Sequence, residues 1–356
     1  MEFTLGEGLK GLPGPILLTG HTGFKGTWMT YLLESLKLSV VGYSLPAEEG
    51  SLFNRAERVG LIPETFADVR DYEALKNFVE THRPSAIIHM AAQPLVIKSY
   101  EDPRETFEVN VMGTVNLLDI ALKFDFVKAV LVVTTDKVYR NDNSARSFIE
   151  SDPLEGKDPY SASKVATESV VAAWQQISKV TNGPKITSVR AGNVIGGGDY
   201  AENRIIPDLI RGALNQKVTK IRNPRSTRPW QHVLDPLWGY LLTLSSLLEG
   251  GEIKSLNFAP EEVSKTVSEL VEISKRTWSE IMVDEKVVNI NQKELESIEL
   301  HLNSALARET LNWQPFFSQE EAVIATIQWW KSHLTHSHSP SSLITSEIER
   351  FLKSKV

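Results

Sequence analysis

No cysteine occurs among the 356 residues. That excludes a disulfide framework, Cys-ligated zinc or iron–sulfur sites, and a thiol nucleophile; it fits a reducing compartment without proving one. Long apolar runs are missing too, and none approaches the roughly 20 residues that a membrane-spanning helix needs. Positive charge is in deficit: 38 Lys+Arg stand against 45 Asp+Glu, a net charge of −7. An acidic chain has no general electrostatic pull toward nucleic acid. Residues 1–15 carry Glu2, Glu7 and Lys10 and lack the charged-then-apolar layout of an export signal. The expected setting is the cytoplasm, with neither membrane nor nucleic acid as partner.

What is present is a globular composition, 41% hydrophobic, in a length that suits two domains or one large sheet domain with an appendage. Short apolar runs alternate with helical patterns through the first half. Strands are expected at Ile16–Thr19, Val40–Tyr43, Ala86–Met90, Val130–Val133 and Ile186–Val189. Between them lie helical patterns at Phe24–Leu36, around Tyr72–Val79, from Pro103 to Leu122, and from Asp158 on, with Asp158 as N-cap and Pro159 at the first helical position. Strands without polar alternation belong to a sheet covered on both faces. The fold class expected is α/β, a Rossmann-type doubly wound parallel sheet with a smaller mixed α/β C-terminal lobe. The rhythm breaks after Arg190, although Trp238–Leu248 is a helix able to return to the first domain. Thr335–Ser342 reads as a linker and Leu343–Leu352 as an amphipathic tail helix. His333, His336 and His338 invite a metal assignment, but a disordered polar tail is the better reading, and no metal site is expected.

Three motifs carry chemistry. In Thr19-Gly20-His21-Thr22-Gly23-Phe24-Lys25-Gly26 the glycines are spaced by three between a strand and a helix. Gly20 permits the tight turn, Gly23 admits a pyrophosphate to the backbone, and Gly26 lets helix and strand pack closely; the helix N-terminus offers free N–H groups to the phosphates. The acid that usually ends the second strand is absent. Ser44 stands there, able to hydrogen-bond a ribose without a charge, so NAD against NADP is less settled, with Lys25 and Arg55 as minority candidates for a 2′-phosphate. Asp68, beside Val69, serves either as an adenine contact or as a capping carboxylate. Second, Tyr160-Ser161-Ala162-Ser163-Lys164 sets a phenol and an ammonium on one helix face; the cation is expected to lower the tyrosine pKa and make it a usable acid/base. Third, Thr134-Thr135-Asp136-Lys137-Val138-Tyr139 leaves a strand at the carboxyl edge, where open α/β sheets bind ligands. Thr135 offers a hydroxyl able to share a proton with Tyr160.

In this order the motifs resemble the extended short-chain dehydrogenase/reductase family. Met90-Ala91-Ala92-Gln93 and Asn110 match as well, and the likeness runs from about Pro15 to about Trp330. Within the family the chain is similar to the sugar-nucleotide 4,6-dehydratases, where Gly192-Asn193-Val194-Ile195-Gly196-Gly197-Gly198-Asp199 and Arg228-Pro229-Trp230-Gln231-His232-Val233 also match. The resemblance implies an NAD-binding domain over 12–192 with a return segment near 229–257, a substrate lobe over 193–334, and a linker and tail helix over 335–356. It implies NAD contacts at Gly20, Gly23, Phe24, Lys25, Gly26, Ser44, Asp68, Val69, Ala91, Ala92, Gln93, Asn110, Tyr160 and Lys164. The substrate it implies is CDP-glucose.

By the same resemblance, Tyr160 takes the proton of the hexose 4-hydroxyl, Thr135 hydrogen-bonds that hydroxyl, and Lys164 holds the nicotinamide ribose. Asp136 is the general acid for the departing 6-hydroxyl. Hydride leaves carbon 4 and returns at carbon 6, a lyase reaction without net redox change. Lys137 departs from the glutamate of dTDP-glucose relatives. It acts either as a carbon-5 base, if its pKa is depressed, or as a cation for the developing enolate. Substrate contacts are expected from Asn193, Arg204, Arg222 and Arg228, while His232 is either a hydrogen-bonder at the lobe junction or a ligand contact. Relatives pair through two long helices, here 103–122 and 159–180, so a homodimer is expected. An epimerase or reductase on this scaffold needs no acid such as Asp136. A non-catalytic nucleotide sensor needs no Thr135-Tyr160-Lys164 set.

Overall fold

The computed structural model describes residues 6–141, 146–221, 223–284 and 300–355. Seven parallel strands form the central sheet: β1 (Ile16–Thr19), β2 (Val40–Ser44), β3 (Glu64–Phe66), β4 (Ala86–His89), β5 (Ala129–Val133), β6 (Lys185–Ala191) and β7 (Ser255–Phe258), in the order β7-β6-β5-β4-β1-β2-β3. Side chains alternate across a strand, and both faces are covered. Ile16 and Leu18 enter one core with Trp28, Leu131 and Val189. Leu17 enters the other with Val41, Ile87, Val130 and Ile186. Every residue of β1, β2, β4 and β5 is buried. That is why these strands read as unbroken apolar runs. β3 and β7 escaped notice because one is a short, half-exposed edge strand and the other lies outside the alternating half of the chain.

β1 pairs with β2 on one side and with β4 on the other, with Thr19 level with His89. The chain direction of assembly reverses here, and such a switch point opens a crevice at the carboxyl ends of the strands. The loops after β1, β4 and β5 therefore meet at one edge. Helix α1 (Phe24–Ser35) follows β1, and α2 (Tyr72–His82), α3 (Gly113–Lys123) and α4 (Pro159–Thr181) follow in turn. Asp158 caps α4 in a reciprocal capping box with Ser161, and Pro159 occupies its first turn. Helix α5 (Leu234–Leu248) returns to pack on β5 and β6.

The expected helix from Pro103 to Leu122 is interrupted. An α-helical turn at Pro103–Phe107 passes through a π-helical turn at Glu108–Met112 before α3 begins. Such insertions often mark functional positions, and this one carries Asn110. Outside the central sheet the chain forms short strand pairs. Thr227–Arg228 lies antiparallel to Lys265–Thr266, and Gln231–His232 lies parallel to Val194–Ile195.

The segment holding His333, His336 and His338 is not a disordered tail, since His333 lies in helix Gln319–Thr335, and the expected tail helix is present. Helix α6 (Pro340–Lys353) starts earlier than expected, capped by Ser339, and docks on α1. Ile344, Ile348 and Phe351 are fully buried in the larger core. Their i, i+4, i+7 spacing puts them on one face. His333 uses its Nδ1 on the His338 carbonyl at 2.9 Å. Among the described residues no cluster of His, Cys, Asp and Glu could hold a metal ion, and no helix is long and apolar enough to cross a membrane.

Candidate active site

The glycine turn has the shape a dinucleotide requires. Gly20 has a φ of +73°, and a Cβ there would lie 2.7 Å from the Ala91 amide nitrogen. A Cβ on Gly26 would lie 2.1 Å from the Gly20 carbonyl oxygen, backbone against backbone. Gly23 is exposed and is the N-cap of α1, with no side chain capping the first turn and no acid in it. The unpaired N–H groups of this terminus are open to a ligand, and the terminus is electropositive. Phe24 and Lys25 are the first residues of that turn. A pyrophosphate fits this cradle.

The neighbouring cofactor candidates fall into two groups. Ser44 lies at the end of β2, but its hydroxyl is shared with Thr22 at 2.7 Å. Asp68 is gripped by Arg70, at 2.6 Å for its shortest contact, and this pairing holds the carboxyl below its usual range. Both readings of Asp68 thus meet a prior partner, Arg70. Val69 is buried beneath Gly113, where a Cβ would lie 2.7 Å away. Arg55 turns elsewhere, donating to the Gly50 carbonyl at 2.7 Å and stacking over Tyr200.

Ala91, Ala92 and Gln93 form the loop after β4. Asn110 braces it: Oδ1 accepts from the Gln93 amide at 2.8 Å, and Nδ2 donates to the Gln93 carbonyl at 3.1 Å and to Ser163 Oγ at 2.9 Å. Its own carbonyl accepts from Thr114 and Thr167. The π turn thus ties the β4 exit to helix α4. His89, at the end of β4, is clasped by the Thr19 and Thr114 hydroxyls, and burial pushes its pKa down to about 3. It is a neutral structural imidazole.

Helix α4 and the loop after β5 bring the chemistry together. Tyr160, Lys164, Thr135 and Asp136 are all buried. The Thr135 hydroxyl donates to Asp136 Oδ1 at 3.0 Å and lies close enough to the Tyr160 phenol to favour its ionised form. Lys164 Nζ donates to the Val133 carbonyl at 3.2 Å. Burial raises the pKa of Asp136 despite the opposing charges of Lys137 and Arg228, and its Oδ2 is buried with no hydrogen-bond partner. A carboxyl in that position is held toward its acid form. Lys137 is half-buried beside it.

One expectation fails. The Tyr160 phenol is not lowered by its lysine. Burial pushes it up to about 12, and the pulls of Thr135 and Arg204 do not offset that. The Lys164 ammonium is itself depressed to about 8 by burial, with Glu168 opposing. Sharing a helix face brings a cation near a phenol, but the same enclosure desolvates both groups.

Of the substrate candidates, Asn193 lies in the loop after β6, at the carboxyl edge, and its carbonyl accepts from the Gln231 amide at 3.0 Å. Arg204 pairs with Asp199 at 2.8 Å and is close enough for its charge to act on Tyr160 and Lys25. Arg228 is buried and its charge reaches Asp136. Arg222 lies outside the described residues. His232 is fully buried, edge-on to Trp28 and 3.3 Å from Glu347 of the tail helix. Its place is structural, between α1 and the tail helix.

Sequence reasoning missed Glu168 and Tyr240, and it quoted Asp199 only as part of a motif. Glu168 lies one turn beyond Lys164, so the i, i+4 pattern carried one step further would have found it. The Lys25 side chain reaches α5. Its ammonium lies 3.4 Å from the Tyr240 hydroxyl, among the charges of Lys164, Arg204 and Asp136.

A seven-stranded doubly wound sheet, a dinucleotide turn at its switch point and a buried Thr-Tyr-Lys set define a nicotinamide-dependent enzyme class. The model of the NAD dependent epimerase/dehydratase family matches residues 16–258, and the chain belongs to that family; its cofactor is NAD. More particularly, the chain is 39% identical over 326 residues to the CDP-glucose 4,6-dehydratase of Salmonella typhimurium, covering 89% of this chain and 90% of that protein. It is 25% identical over 337 residues to the dTDP-glucose 4,6-dehydratase of Haemophilus influenzae, covering 88% and 97%. The fold matches the crystal structure of dTDP-glucose 4,6-dehydratase from Bacillus anthracis in complex with NAD, with a TM-score of 0.75, 22% identity, and 90% and 98% of the two chains covered.

Proposed function

We propose that this chain is a hydro-lyase that converts CDP-glucose to CDP-4-keto-6-deoxyglucose. The observation that carries the reading is Asp136, a buried carboxyl held toward its acid form with one oxygen unpartnered, in the same cluster as Thr135 and Tyr160. An epimerase needs no proton donor at the 6-hydroxyl, whereas a dehydratase does. The identity to the Salmonella enzyme supports the choice of nucleotide.

In this reading Tyr160 accepts the 4-hydroxyl proton, with Thr135 fixing the direction of transfer. Its resting pKa of about 12 must be drawn down for that step, and in this protein Arg204 is the cation that pulls the phenol that way. Lys164 holds the ribose at the nicotinamide end. When bound, NAD would supply a reversible hydride acceptor, so that the hydride lost from carbon 4 returns at carbon 6 with no net redox change. The ketone acidifies the carbon-5 hydrogen, Asp136 protonates the leaving 6-hydroxyl, and Lys137 stands beside it as base or as cation for the enolate. Arg228 and Asn193 line the approach from the second lobe. The glycine turn and the residues 91–93 bind the cofactor, with Asn110 bracing the loop. The domain division at about residue 192 belongs to the same reading, as do a cytoplasmic setting and a homodimer. Exposed Ile97, Tyr100, Phe107 and Met112 on the run before α3, and Ile177 and Val180 on α4, support pairing through those helices.

A panel of CDP-, dTDP-, GDP- and UDP-hexoses with added NAD, read by product mass, tests the proposal. CDP-glucose should lose one water with no net NADH. Conversion of dTDP-glucose but not CDP-glucose overturns the base assignment, and a product of unchanged mass overturns dehydration.

A further inference from the structure

The run Gly196-Gly197-Gly198 ends in Asp199, a buried acid to which the dehydration chemistry gives no task. The run is held from three sides. Trp28 of α1, fully buried, donates its indole N–H to the Gly197 carbonyl at 3.0 Å. A Cβ on Gly197 would lie 1.9 Å from the Trp329 ring of helix Gln319–Thr335. Gly198 has a φ of +81°, and a Cβ there would lie 2.3 Å from the Leu52 side chain. Backbone enclosed this closely by side chains has little room to shift. The glycines thus form a strap fixed to the helix of the dinucleotide turn, and Asp199 stands at its end.

Both oxygens of that carboxylate are engaged. Oδ1 accepts from the Ala201 amide at 3.1 Å, and Oδ2 accepts from Arg204 Nη1 at 2.8 Å. The acid side chain is 8% exposed and the arginine 38%, so Asp199 is the anchored partner and the guanidinium is the one it aims. Arg204 is the N-cap of helix Ile205–Leu214, and its side chain makes no bond to that first turn. Its charge faces Asp199, the Tyr160 phenol and Lys25 of α1. Around the phenol, Asp136 after β5 and Asp158 before α4 oppose ionisation, while Thr135 and Arg204 favour it. Tyr240 of α5 also faces it, and Lys164 follows one turn further along α4. We propose that Asp199 is a positioning residue for carbon-4 oxidation: it keeps the Arg204 charge within reach of the Tyr160 phenol, and the glycine strap ties that placement to α1. The inference rests on the dehydratase reading, in which Tyr160 takes the 4-hydroxyl proton. Its sign separates it from the simpler role of a neutralising acid. If Asp199 merely offset the charge of Arg204, removing it would strengthen the pull on the phenol. If it aims Arg204, removing it frees the guanidinium and the pull is lost. A unit charge a few ångströms away at an intermediate effective dielectric moves a pKa by about one unit or more.

The test follows transient NADH absorbance in a single turnover of the full chain with NAD and CDP-glucose, across pH. Carbon-4 oxidation speeds up as the phenol ionises, so the midpoint of the rising limb reports Tyr160. Asp199→Asn keeps the shape of the side chain and an acceptor for the Ala201 amide but loses the charge that holds Arg204. It should move the midpoint up by about one pH unit, a roughly tenfold loss of rate at a fixed pH below it. Arg204→Gln should move it at least as far, and the double variant no further than Arg204→Gln alone, because the first residue acts through the second. Asp199→Glu, which restores a carboxylate, should bring the midpoint back toward the wild type. An unmoved midpoint in Asp199→Asn, whatever its rate, overturns the inference, and so does a midpoint that moves down. If Asp199→Asn does not fold, Arg204→Gln decides, and a midpoint at the wild-type value overturns the inference. A wild type that forms no NADH and loses no water from CDP-glucose overturns the dehydratase reading itself, a result distinct from an active wild type with an unmoved variant.

Discussion

Replacing Glu168 by alanine should be among the most damaging single changes in the molecule, and the structure gives the size of the effect. Oε1 accepts from the Thr134 hydroxyl and from Arg190 Nε at 2.9 Å. Oε2 accepts from Ser188 Oγ at 2.8 Å and from Arg190 Nη2 at 2.8 Å. Both partners of the ion pair are buried, at 6% and 5% exposure, so water cannot replace the carboxylate. Arg190 would keep only Tyr139 and the Glu150 carbonyl as acceptors. An uncompensated buried guanidinium costs about 3–5 kcal/mol. Glu168→Ala should therefore shift the urea midpoint far below the wild type, whereas Glu108→Ala, which removes the exposed partner of Arg104, should leave it almost unmoved. The sign in pH is fixed as well. The folded-state pKa of Glu168 is lowered, chiefly by Arg190 against its burial. Its stabilisation is thus present above the unfolded carboxylate range and is lost as pH falls through the folded value. Equal midpoints for Glu168→Ala and Glu108→Ala would refute the reasoning. So would a double replacement of Glu168 and Arg190 by apolar residues that is no better than Glu168→Ala alone.

Asp136→Asn should slow water loss more than carbon-4 oxidation, read as transient NADH absorbance in a single turnover. The falling limb of the wild-type pH profile that reflects the protonated acid should then disappear, and an unchanged rate of product formation would remove Asp136 from the acid role. Ile348→Asp places a charge in the core face of α6, where the native side chain is fully buried. Losing that burial alone costs about 2 kcal/mol, and the unpaired charge adds to it. Thermal melting should show a clear drop, and an unaltered melt would mean that the tail helix does not dock in solution.

The parallel sheet was legible because physics gives it a coarse signal. Strands buried on both faces must be apolar throughout, and the turn between β1 and α1 must be glycine where a Cβ would strike backbone. The capping of α4 was legible for a similar reason, since Asp158, Pro159 and Ser161 are consecutive chemistry. The π turn at Glu108–Met112 was not, because an inserted residue barely disturbs a helical period. Tyr160 shows a different limit. Sequence spacing located the phenol and the ammonium correctly but did not show how deeply both are enclosed, and depth rather than adjacency decides the pKa. The tail helix was legible from its amphipathic spacing, whereas the stretch around His333 was misread because its polar residues hid the end of helix Gln319–Thr335.

The same enclosure links stability to chemistry along one helix face. Tyr160, Lys164 and Glu168 follow one another at intervals of four on α4, and all three are buried. A buried row of this kind is tolerable only if its charges are matched. Glu168 is matched by Arg190, and that pairing in turn fixes Thr134, the residue before the Thr135–Asp136 pair. Lys164 has a carbonyl for a hydrogen bond and the more distant charge of Glu168. Tyr160 has only Thr135 and the partial pull of Arg204. Satisfaction therefore declines along the helix toward the carboxyl edge of the sheet. The groups left least matched are those at the crevice, where a ligand can complete them, and the rigid pair beneath holds them in place for it.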